Sequence, residues 1–323
     1  MKKNDNPANM KDKILFNPEF FEYVSCNLCG ADNKQADVVF EADTDKIPKT
    51  KEDIMNLYSA SSKEIFYERV VRCKKCGLIY ISPRPKAKLV VSGYSYAKDE
   101  QYVSQEKGRI ITFGNCLKIV KKMRGNGRLL DIGAASGIFV KLAADEGYDA
   151  LGIEPSVWMC ELAKRLYNAN VLPGTLDDTE FEDDSFDIIT MWDVLEHVPD
   201  PMATLKKVKR ILKPGGFLIV NYPNIADPLA KLFGRKWWFL LSVHLFYFTP
   251  ETLSSYMKHL GFEKTLHKMH FQVLSYEYLV HRLNEYSKTL AKAAKLPYII
   301  PGFRKLQVPY FASQYLMAGR NKK

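Results

Sequence analysis

The stretch LLDIGAASG, residues 129–137, decides the fold. Its apolar half predicts a β-strand that ends at Asp131, and Gly133 and Gly137 then open a turn that leads into a helix. Small residues in such a turn let a ligand touch the backbone, and the start of the helix offers unpaired N–H groups. The turn lacks the Gly-Lys-Ser/Thr of a phosphate loop and the third glycine of a dinucleotide fingerprint. By itself it therefore fits either a mononucleotide cradle or a plain tight turn.

The segments that follow this turn alternate between helical and strand patterns. Helical patterns occupy residues 138–148, 157–168 and 202–216, and strands open the stretches 150–156, 186–198 and 217–223. Strands that alternate with helices in this way predict βαβ units and a parallel sheet. A further helix is predicted over 249–262, with Thr249 as its N-cap and Pro250 in its first turn. The predicted fold class is α/β with a Rossmann-like sheet.

Glu154 decides between the two interpretations of the turn. It ends the second strand, 23 residues after Asp131. In a doubly wound sheet the ends of the first and second strands line one crevice. A carboxylate there can accept two hydrogen bonds from a ribose diol, so the pair favours a nucleoside cradle over a plain turn.

Five stretches in this order carry a family resemblance: LLDIGAASG, LGIEPS, PGTLDD, SFDIITMWDVLEHVPDP and LKPGGFLIV. Together they resemble the class I methyltransferases that use S-adenosylmethionine (SAM), over about residues 125–272. The resemblance implies a seven-stranded sheet whose final strand, at 313–320, is reversed. It also implies a set of SAM-contacting residues: Asp131, Gly133, Ala135 and Gly137 beside the methionine and ribose, Glu154 and Pro155 at the ribose, Leu176 and Asp177 at the adenine, and Trp192 and Asp193 near the sulfonium. Ala135 stands where the family usually has glycine.

Two cysteine pairs precede this region, each followed by glycine. Cys26 and Cys29 form the first pair, and Cys73 and Cys76 form the second. Two such knuckles predict a closed S₄ site for structural zinc, whereas two redox pairs or four buried thiols are the alternatives. The 43 residues between the pairs require an excursion at about 44–66. The arrangement resembles the zinc ribbon in front of some sugar and surface-polysaccharide methyltransferases. It suggests a substrate-binding or a lid role for residues 20–110, where Tyr94, Tyr96 and Tyr102 supply ring faces and hydroxyls.

Three side chains are candidates to take a proton from the acceptor: His244, His197 and Tyr222. His244 lies in the aromatic stretch KLFGRKWWFLLSVHLFYFTP, and the resemblance to zinc-ribbon deoxysugar methyltransferases implies a base at this position. A packed core histidine is the alternative. The segment around His197 also resembles quinone-pathway methyltransferases, in which Asp193, Glu196 and His197 would match metal-associated residues. Trp237 and Trp238 would either line a lid or form a membrane-facing wedge beside basic residues.

Composition sets the remaining limits. The chain has 323 residues and a net charge of +10, and no stretch is long and apolar enough to span a membrane. Its N-terminus lacks the apolar core of a secretory signal, so a cytoplasmic protein with reduced or metal-bound cysteines is predicted. Residues 131–199 carry three basic and fifteen acidic side chains, and residues 200–323 carry twenty and six. The basic C-terminal third suits a phosphate-bearing substrate, nucleic acid or an anionic surface.

These observations predict a three-part organisation. Residues 1–20 form a frayed N-terminus, 21–110 a zinc-ribbon and lid region, and 111–323 the SAM-binding domain. Residues 224–248 form an aromatic insertion, and 274–309 a helical insertion that packs against the domain or forms a homodimer. The predicted activity is methyl transfer to a small-molecule acceptor, a sugar or nucleotide-sugar of a polysaccharide or secondary-metabolite pathway. An RNA methyltransferase, a quinone-pathway-like O-methyltransferase and a non-catalytic SAM-binding protein are the alternatives.

Overall fold

The structure is a computed structural model that describes residues 16–58, 68–95 and 103–322. Most of the predicted frayed N-terminus, part of the predicted excursion between the cysteine pairs, and Tyr96 and Tyr102 lie outside these residues. The expectation of fraying is wrong for the end of that segment. Phe16 is buried, and its ring packs edge-on against Phe21 at 5.5 Å between centroids. An aromatic pair buried in this way anchors the chain from residue 16 onward.

Strands and helices are numbered here in chain order. The strands are β1 (Phe21–Glu22), β2 (Ala36–Phe40), β3 (Val70–Cys73), β4 (Ile79–Ile81), β5 (Arg84–Pro85), β6 (Arg128–Ile132), β7 (Asp149–Glu154), β8 (Val171–Pro173), β9 (Phe186–Trp192), β10 (Leu212–Pro223), β11 (Phe246–Tyr247), β12 (Phe262–Ser275) and β13 (Gln307–Asn321). The helices are α1 (Lys51–Leu57), α2 (Ala87–Ser95), α3 (Glu106–Met123), α4 (Ile138–Asp145), α5 (Val157–Tyr167), α6 (Pro201–Ile211), α7 (Pro228–Phe233), α8 (Pro250–His259), α9 (Tyr276–Tyr286) and α10 (Lys288–Ala294).

A seven-stranded sheet forms the centre of the molecule, in the order β12-β13-β10-β9-β6-β7-β8. The strands β8, β7, β6, β9 and β10 are parallel, and β13 runs antiparallel to both of its neighbours. The predicted α/β sheet with a reversed final strand is therefore confirmed. The carboxyl ends of β6, β7, β9 and β10 lie along one edge, where doubly wound sheets bind ligands.

Local sequence explains most of these elements. The strand β9, FDIITMW, is buried along its whole length, as expected for a central parallel strand covered on both faces. The predicted N-cap of α8 is confirmed, because Thr249 and Thr252 form a reciprocal capping box. The helix predicted over 202–216 ends earlier, at Ile211. Pro214 disfavours helical backbone at Lys213, so residues 212–216 join β10 instead.

The cysteine-containing region and the aromatic insertion share a second, four-stranded sheet, ordered β11-β4-β3-β2. The strand β11 comes from the insertion, and its Phe246 is paired with Tyr80 of β4. Buried Glu68 joins the two regions further, because its carboxylate accepts hydrogen bonds from Tyr58 and from Ser242, both at 2.8 Å. The shared strand pairing and the buried Glu68 carboxylate therefore hold the cysteine region against the aromatic insertion.

The prediction that Trp237 and Trp238 of the insertion form a membrane-facing wedge is wrong. Trp237 is buried, and half-buried Trp238 donates from Nε1 to the carbonyl oxygen of Ala312 at 3.1 Å. Both rings therefore pack inward, where they cover apolar surface of the protein itself. The helices α9 and α10 connect β12 to β13 within residues 274–309, the range of the predicted helical insertion. Within the described residues, every helix is too short or too polar to reach across a bilayer.

Candidate functional site

The glycine turn after β6 folds back onto the end of β7. The amides of Gly133 and Ala134 both donate to the carbonyl oxygen of Ile153, at 2.8 and 3.0 Å. Gly133 and Gly137 have φ values of +72° and +74°, which favour glycine. A Cβ at Gly133 would also lie 2.5 Å from a methyl group of Val194. The turn is therefore built from residues that must be small.

Glu154 closes this turn. Its Oε2 accepts a hydrogen bond from the amide of Ala135 at 3.0 Å, and its Oε1 accepts one from the amide of Ser156 at 2.9 Å. Burial raises the pKa of Glu154, and these two amides act in the opposite direction. Each carboxylate oxygen has a second lone pair. The carboxylate can thus hold the loop and still accept hydrogen bonds from a diol.

Ala135 adopts a left-handed conformation, which glycine takes more readily than alanine. Its φ is +46°, in the region that costs an alanine about 1 kcal/mol. The hydrogen bond from its amide to Glu154 fixes this conformation. The Glu154 carboxylate therefore stabilises the turn at this position.

Asp131 lies beneath the loop and is almost fully buried. Its Oδ1 accepts a hydrogen bond from the Thr190 hydroxyl of β9 at 2.6 Å. Burial raises the pKa of Asp131 to about 8, although this hydrogen bond lowers it and nearby Glu154 raises it. The structure therefore brings Asp131, the glycine turn and Glu154 together at the ends of β6 and β7.

The other predicted cofactor residues surround this crevice to different degrees. Leu176 is buried, whereas Asp177 is exposed and pairs with Lys207 at 2.5 Å. Pro155 is half-buried directly after Glu154. Trp192 ends β9, and its ring packs edge-on against Phe139 of α4 at 5.0 Å. Among these, Trp192 and Leu176 offer buried apolar surface to a ligand.

Asp193 follows Trp192 and is held by three side-chain amides. Asn221 donates to its Oδ1 at 2.7 Å, Gln314 donates to the same oxygen, and Gln272 donates to Oδ2 at 3.4 Å. Burial raises the pKa of Asp193 to about 6, which nearby Arg109 opposes. Burial therefore brings the ionisation of Asp193 closer to neutral pH than that of an ordinary aspartate.

A cavity lies beside Asp193. Its lining includes Arg109, Trp192, Asp193, Asn221, His270 and Gln272. Three buried polar atoms around Asp193 have no partner within the described part of the chain: Trp192 Nε1, Asn221 Oδ1 and Gln314 Oε1. Because such atoms are destabilising unless a ligand or water satisfies them, they point to a bound polar molecule.

The sequence analysis missed Asn221, Gln272 and Gln314. They come from β10, β12 and β13, which are far apart along the chain. The sequence held a signal for two of these residues. Asn221 interrupts the apolar run FLIVNYP, and Gln314 lies in the predicted final strand. A polar side chain at a buried strand position requires a partner. The identity of that partner, Asp193, needed the three-dimensional register.

The four predicted cysteines come together. The Sγ atoms of Cys26 and Cys76 are 3.3 Å apart, those of Cys29 and Cys73 are 3.6 Å apart, and all four lie within 4.8 Å of one another. A tetrahedral zinc ion with Zn–S bonds of about 2.3 Å would place its sulfurs roughly 3.8 Å apart. The separations in the structure fit this geometry.

The two cysteine turns have the same backbone pattern. The amide of Cys26 donates to the carbonyl of Ala31 at 2.8 Å, and that of Cys73 to the carbonyl of Leu78 at 2.9 Å. Gly30 and Gly77 have φ values of +70° and +77°. Burial raises the pKa of the Cys76 thiol to about 11, so a cation is needed to stabilise its thiolate at neutral pH.

Two predicted bases, His197 and His244, form a buried cluster with Glu196. Their rings meet edge-on at 4.6 Å, and one ligand atom from each of the three residues lies within 4.8 Å of the others. His244 Nδ1 is 2.8 Å from the carbonyl oxygen of Phe239, and His197 Nδ1 is 3.0 Å from that of Val243. The carbonyl contact assigns the proton of His244 to Nδ1 and leaves its Nε2 with a lone pair.

Protonation of this cluster is governed by burial. Burial lowers the pKa of His197 to about 4 and lowers that of His244 well below its ordinary value. Burial also raises the pKa of Glu196, whose two oxygens have no partner among the described residues. Tyr94 of α2 contacts the cluster through its hydroxyl, 2.6 Å from His197 Nδ1. Two neutral imidazoles and one carboxyl group could share a cation here.

Tyr222 occupies a different place. Its hydroxyl is fully buried and lies 3.1 Å from Nε2 of His267. Burial raises the pKa of Tyr222 far above the physiological range. The structure thus separates Tyr222 from the histidine cluster, and the role of each of the three predicted bases stays a prediction.

Comparison with known proteins assigns a family to this site. Residues 103–267, just over half of the chain, match the family described as a methyltransferase domain. That range contains the glycine turn, Glu154 and Asp193. It also contains the cluster of Glu196, His197 and His244.

Individual relatives share a smaller part of the chain. A ubiquinone biosynthesis O-methyltransferase of Haemophilus ducreyi is 32% identical over 107 residues, covering 30% of this chain and 45% of the relative. A demethylmenaquinone methyltransferase of Staphylococcus saprophyticus is 31% identical over 111 residues, covering 32% and 48%. The chain thus spans less than half the length of these relatives. A Thermotoga maritima structure, a possible histamine N-methyltransferase, is 25% identical with a TM-score of 0.47, covering 69% of this chain and 94% of that one.

Proposed function

Because the chain belongs to the family of methyltransferase domains, we propose that it transfers a methyl group from SAM to a small polar acceptor. One observation carries this proposal. The glycine turn and the Glu154 carboxylate are joined by the hydrogen bond from the Ala135 amide, at the neighbouring carboxyl ends of β6 and β7. In this arrangement the ribose hydroxyls of SAM bind to Glu154. The adenine lies by Leu176 and Asp177, and the sulfonium by Trp192.

The proposed acceptor lies against Asp193 at the edge of the sheet, because the cavity there, about 20 Å³, has room for only about one water molecule. Glu154 belongs to β7, on the first half of the sheet, whereas Asn221 and Gln314 belong to β10 and β13 on the other side of β9. In this proposal the two halves of the sheet bind different ligands. The unpaired oxygens of Asn221 and Gln314 need donors, and the unpaired N–H of Trp192 needs an acceptor. Neighbouring hydroxyl groups supply both, so a sugar or nucleotide-sugar is the proposed acceptor.

Asp193 is the proposed proton acceptor. Methyl transfer forms a bond from the acceptor oxygen to the methyl carbon and breaks the carbon–sulfur bond. The hydroxyl proton must leave, and a carboxylate with a pKa near the working pH is suited to take it. The three amides around Asp193 hold its carboxylate in place. Binding both substrates in one crevice supplies the remaining acceleration through orientation.

Transfer from labelled SAM to a panel of acceptors tests the function. We expect label in one or more of the UDP-, dTDP- and GDP-linked hexoses and deoxyhexoses in the panel. RNA and a prenylated catechol serve as the competing acceptors. Label in RNA alone would reject the proposed acceptor class, and no label in any acceptor despite SAM binding would favour the non-catalytic alternative.

A second candidate function rests on the cluster of Glu196, His197 and His244. Two imidazoles and a carboxylate suit a divalent transition ion, and this chain resembles quinone-pathway enzymes in part. Asp193, the third residue implied by that resemblance, is instead held by amides, and His244 lies in its place. Transfer to the prenylated catechol that a chelator abolishes would favour this candidate.

We propose further that Cys26, Cys29, Cys73 and Cys76 hold a structural zinc ion. Four thiolates leave no open position, so the ion organises the lid region and takes no part in the chemistry. Cys73→Ser should remove one equivalent of zinc and lower the free energy of unfolding by about 3 kcal/mol or more. Metal analysis and thermal denaturation measure both effects.

Cys116→Ser is the matched control, because Cys116 is equally buried but lies on α3 outside the cluster. It should retain its zinc. Equal zinc content in the two variants would contradict the assignment of the four cysteines.

A further inference from the structure

The helical insertion carries a surface that the proposed methyl transfer does not use. It lies within residues 288–306, which comprise α10 and two short 3₁₀ turns, Leu296–Ile299 and Phe303–Lys305. Large apolar side chains are exposed here. Ile299 is 88% exposed and Leu296 is 72% exposed, and Leu290, Ile300 and Leu306 are exposed as well. Side chains of this size are usually covered in a monomer when they occur together.

The same segment is strongly basic. It carries five exposed basic side chains, namely Lys288, Lys292, Lys295, Arg304 and Lys305. No aspartate or glutamate occurs anywhere after residue 285 of the sequence. Arg304 of this segment pairs with Glu277 of α9, whose carboxylate is 3.9 Å away. The segment itself therefore combines exposed isoleucines with charged side chains of one sign only.

The inner side of the segment is anchored. The Tyr276 ring packs edge-on against Phe303 at 4.8 Å between centroids, and its hydroxyl donates to the carbonyl of Ala294 at 3.0 Å. The tip is closed by its own hydrogen bonds, from the amide of Ile300 to the carbonyl of Pro297 and from that of Phe303 to the carbonyl of Ile300. Because these amides are already paired, the tip can enter a less polar medium without leaving them unsatisfied.

We propose that this surface, residues 288–306, docks on an anionic lipid bilayer. Isoleucines would enter the boundary between headgroups and acyl chains, and the lysines would contact acidic headgroups. A second copy of the chain fits poorly, since a two-fold contact would place five positive charges opposite five identical ones. Nucleic acid would use the basic side chains but would leave the isoleucines exposed to water. Of these three partners, only a bilayer contacts both the basic side chains and the apolar side chains of the surface.

Vesicle co-sedimentation of the full-length protein tests this proposal. The probes are vesicles of phosphatidylcholine alone and vesicles that also contain phosphatidylglycerol. We expect binding to the anionic vesicles only, weakened by salt. The Lys288→Gln, Lys292→Gln, Lys295→Gln variant should bind roughly 100-fold more weakly. The Ile299→Ser, Ile300→Ser variant should bind at least about 10-fold more weakly.

Matched controls separate this surface from general charge and hydrophobicity. The Lys118→Gln, Lys122→Gln, Lys164→Gln variant removes the same charge elsewhere, and Val157→Ser, Leu172→Ser removes exposed apolar side chains elsewhere. Both should bind like the unmodified protein.

The proposal is overturned if the unmodified protein does not bind anionic vesicles, or if the insertion variants bind as well as the controls. It is also overturned if light scattering shows that Ile299→Ser, Ile300→Ser converts a dimer into a monomer. SAM binding is independent of all these outcomes.

Discussion

Replacing Glu154 with alanine should weaken SAM binding by about 100-fold or more, because two hydrogen bonds from the ribose to a carboxylate are lost. The loop would also lose the bond from the Ala135 amide that fixes its left-handed conformation. Calorimetry with SAM and with its demethylated product measures the change. Circular dichroism of the variant shows whether the fold is retained.

Two further variants make this result specific. Glu154→Gln keeps the shape but turns one acceptor oxygen into a donor, which opposes either the Ala135 or the Ser156 amide. It should bind SAM with intermediate affinity. Glu161→Gln changes an exposed carboxylate on α5 and should bind SAM normally. Normal SAM affinity in Glu154→Ala would show that the ribose is held elsewhere.

Replacing Asp193 with asparagine should lower kcat/KM for the acceptor by about 10² to 10⁴, the range typical for removal of a general base. SAM affinity should change far less, because Glu154 and the glycine turn remain. Asp183→Asn is the control, since that carboxylate is exposed and pairs with Arg210 at the surface. Equal losses in SAM affinity and in kcat/KM would assign Asp193 to cofactor binding alone.

The pH dependence of the reaction gives an independent test of Asp193. Burial raises its pKa to about 6. Only the deprotonated carboxylate accepts a proton, so kcat/KM should be level above pH 6 and should fall about tenfold per pH unit below it. If His197 or His244 were the base, kcat/KM would begin to fall only at a more acidic pH, because burial lowers the pKa of His197 to about 4 and that of His244 well below its ordinary value. The pH at which kcat/KM begins to fall therefore distinguishes Asp193 from the two histidines as the base.

Sequence alone predicted the part of the candidate site whose residues follow local patterns in the chain. The turn, Asp131 and Glu154 are set by strand ends and glycine positions, which leave a direct pattern in the chain. The four cysteines also carried a pattern, because their spacing within each pair is fixed by the geometry of the turn. The sheet places Asp131 and Glu154 at the ends of neighbouring parallel strands, whereas their role in binding a cofactor stays a prediction. The sulfur separations agree with the predicted cysteine cluster.

The other half of the site depends on contacts between distant segments. Asp193 meets Gln314 across 121 residues, and Glu196 meets His244 only because the aromatic insertion folds over the sheet edge. The sequence predicted an aromatic insertion at 224–248. Its pairing with β4 through Phe246 was not predicted, because a two-residue strand has no recognisable periodicity. These contacts depend on how segments that are distant in the sequence pack and pair with one another.

The structure of the complex with S-adenosylhomocysteine tests the central claim most directly. Both ribose hydroxyls should lie within hydrogen-bond distance of the two Glu154 oxygens, with the sulfur beside Trp192 and Asp193. A ligand whose ribose lies away from Glu154, or whose adenosyl group occupies the cavity beside Asn221 and His270, would contradict the assignment of the two halves of the sheet.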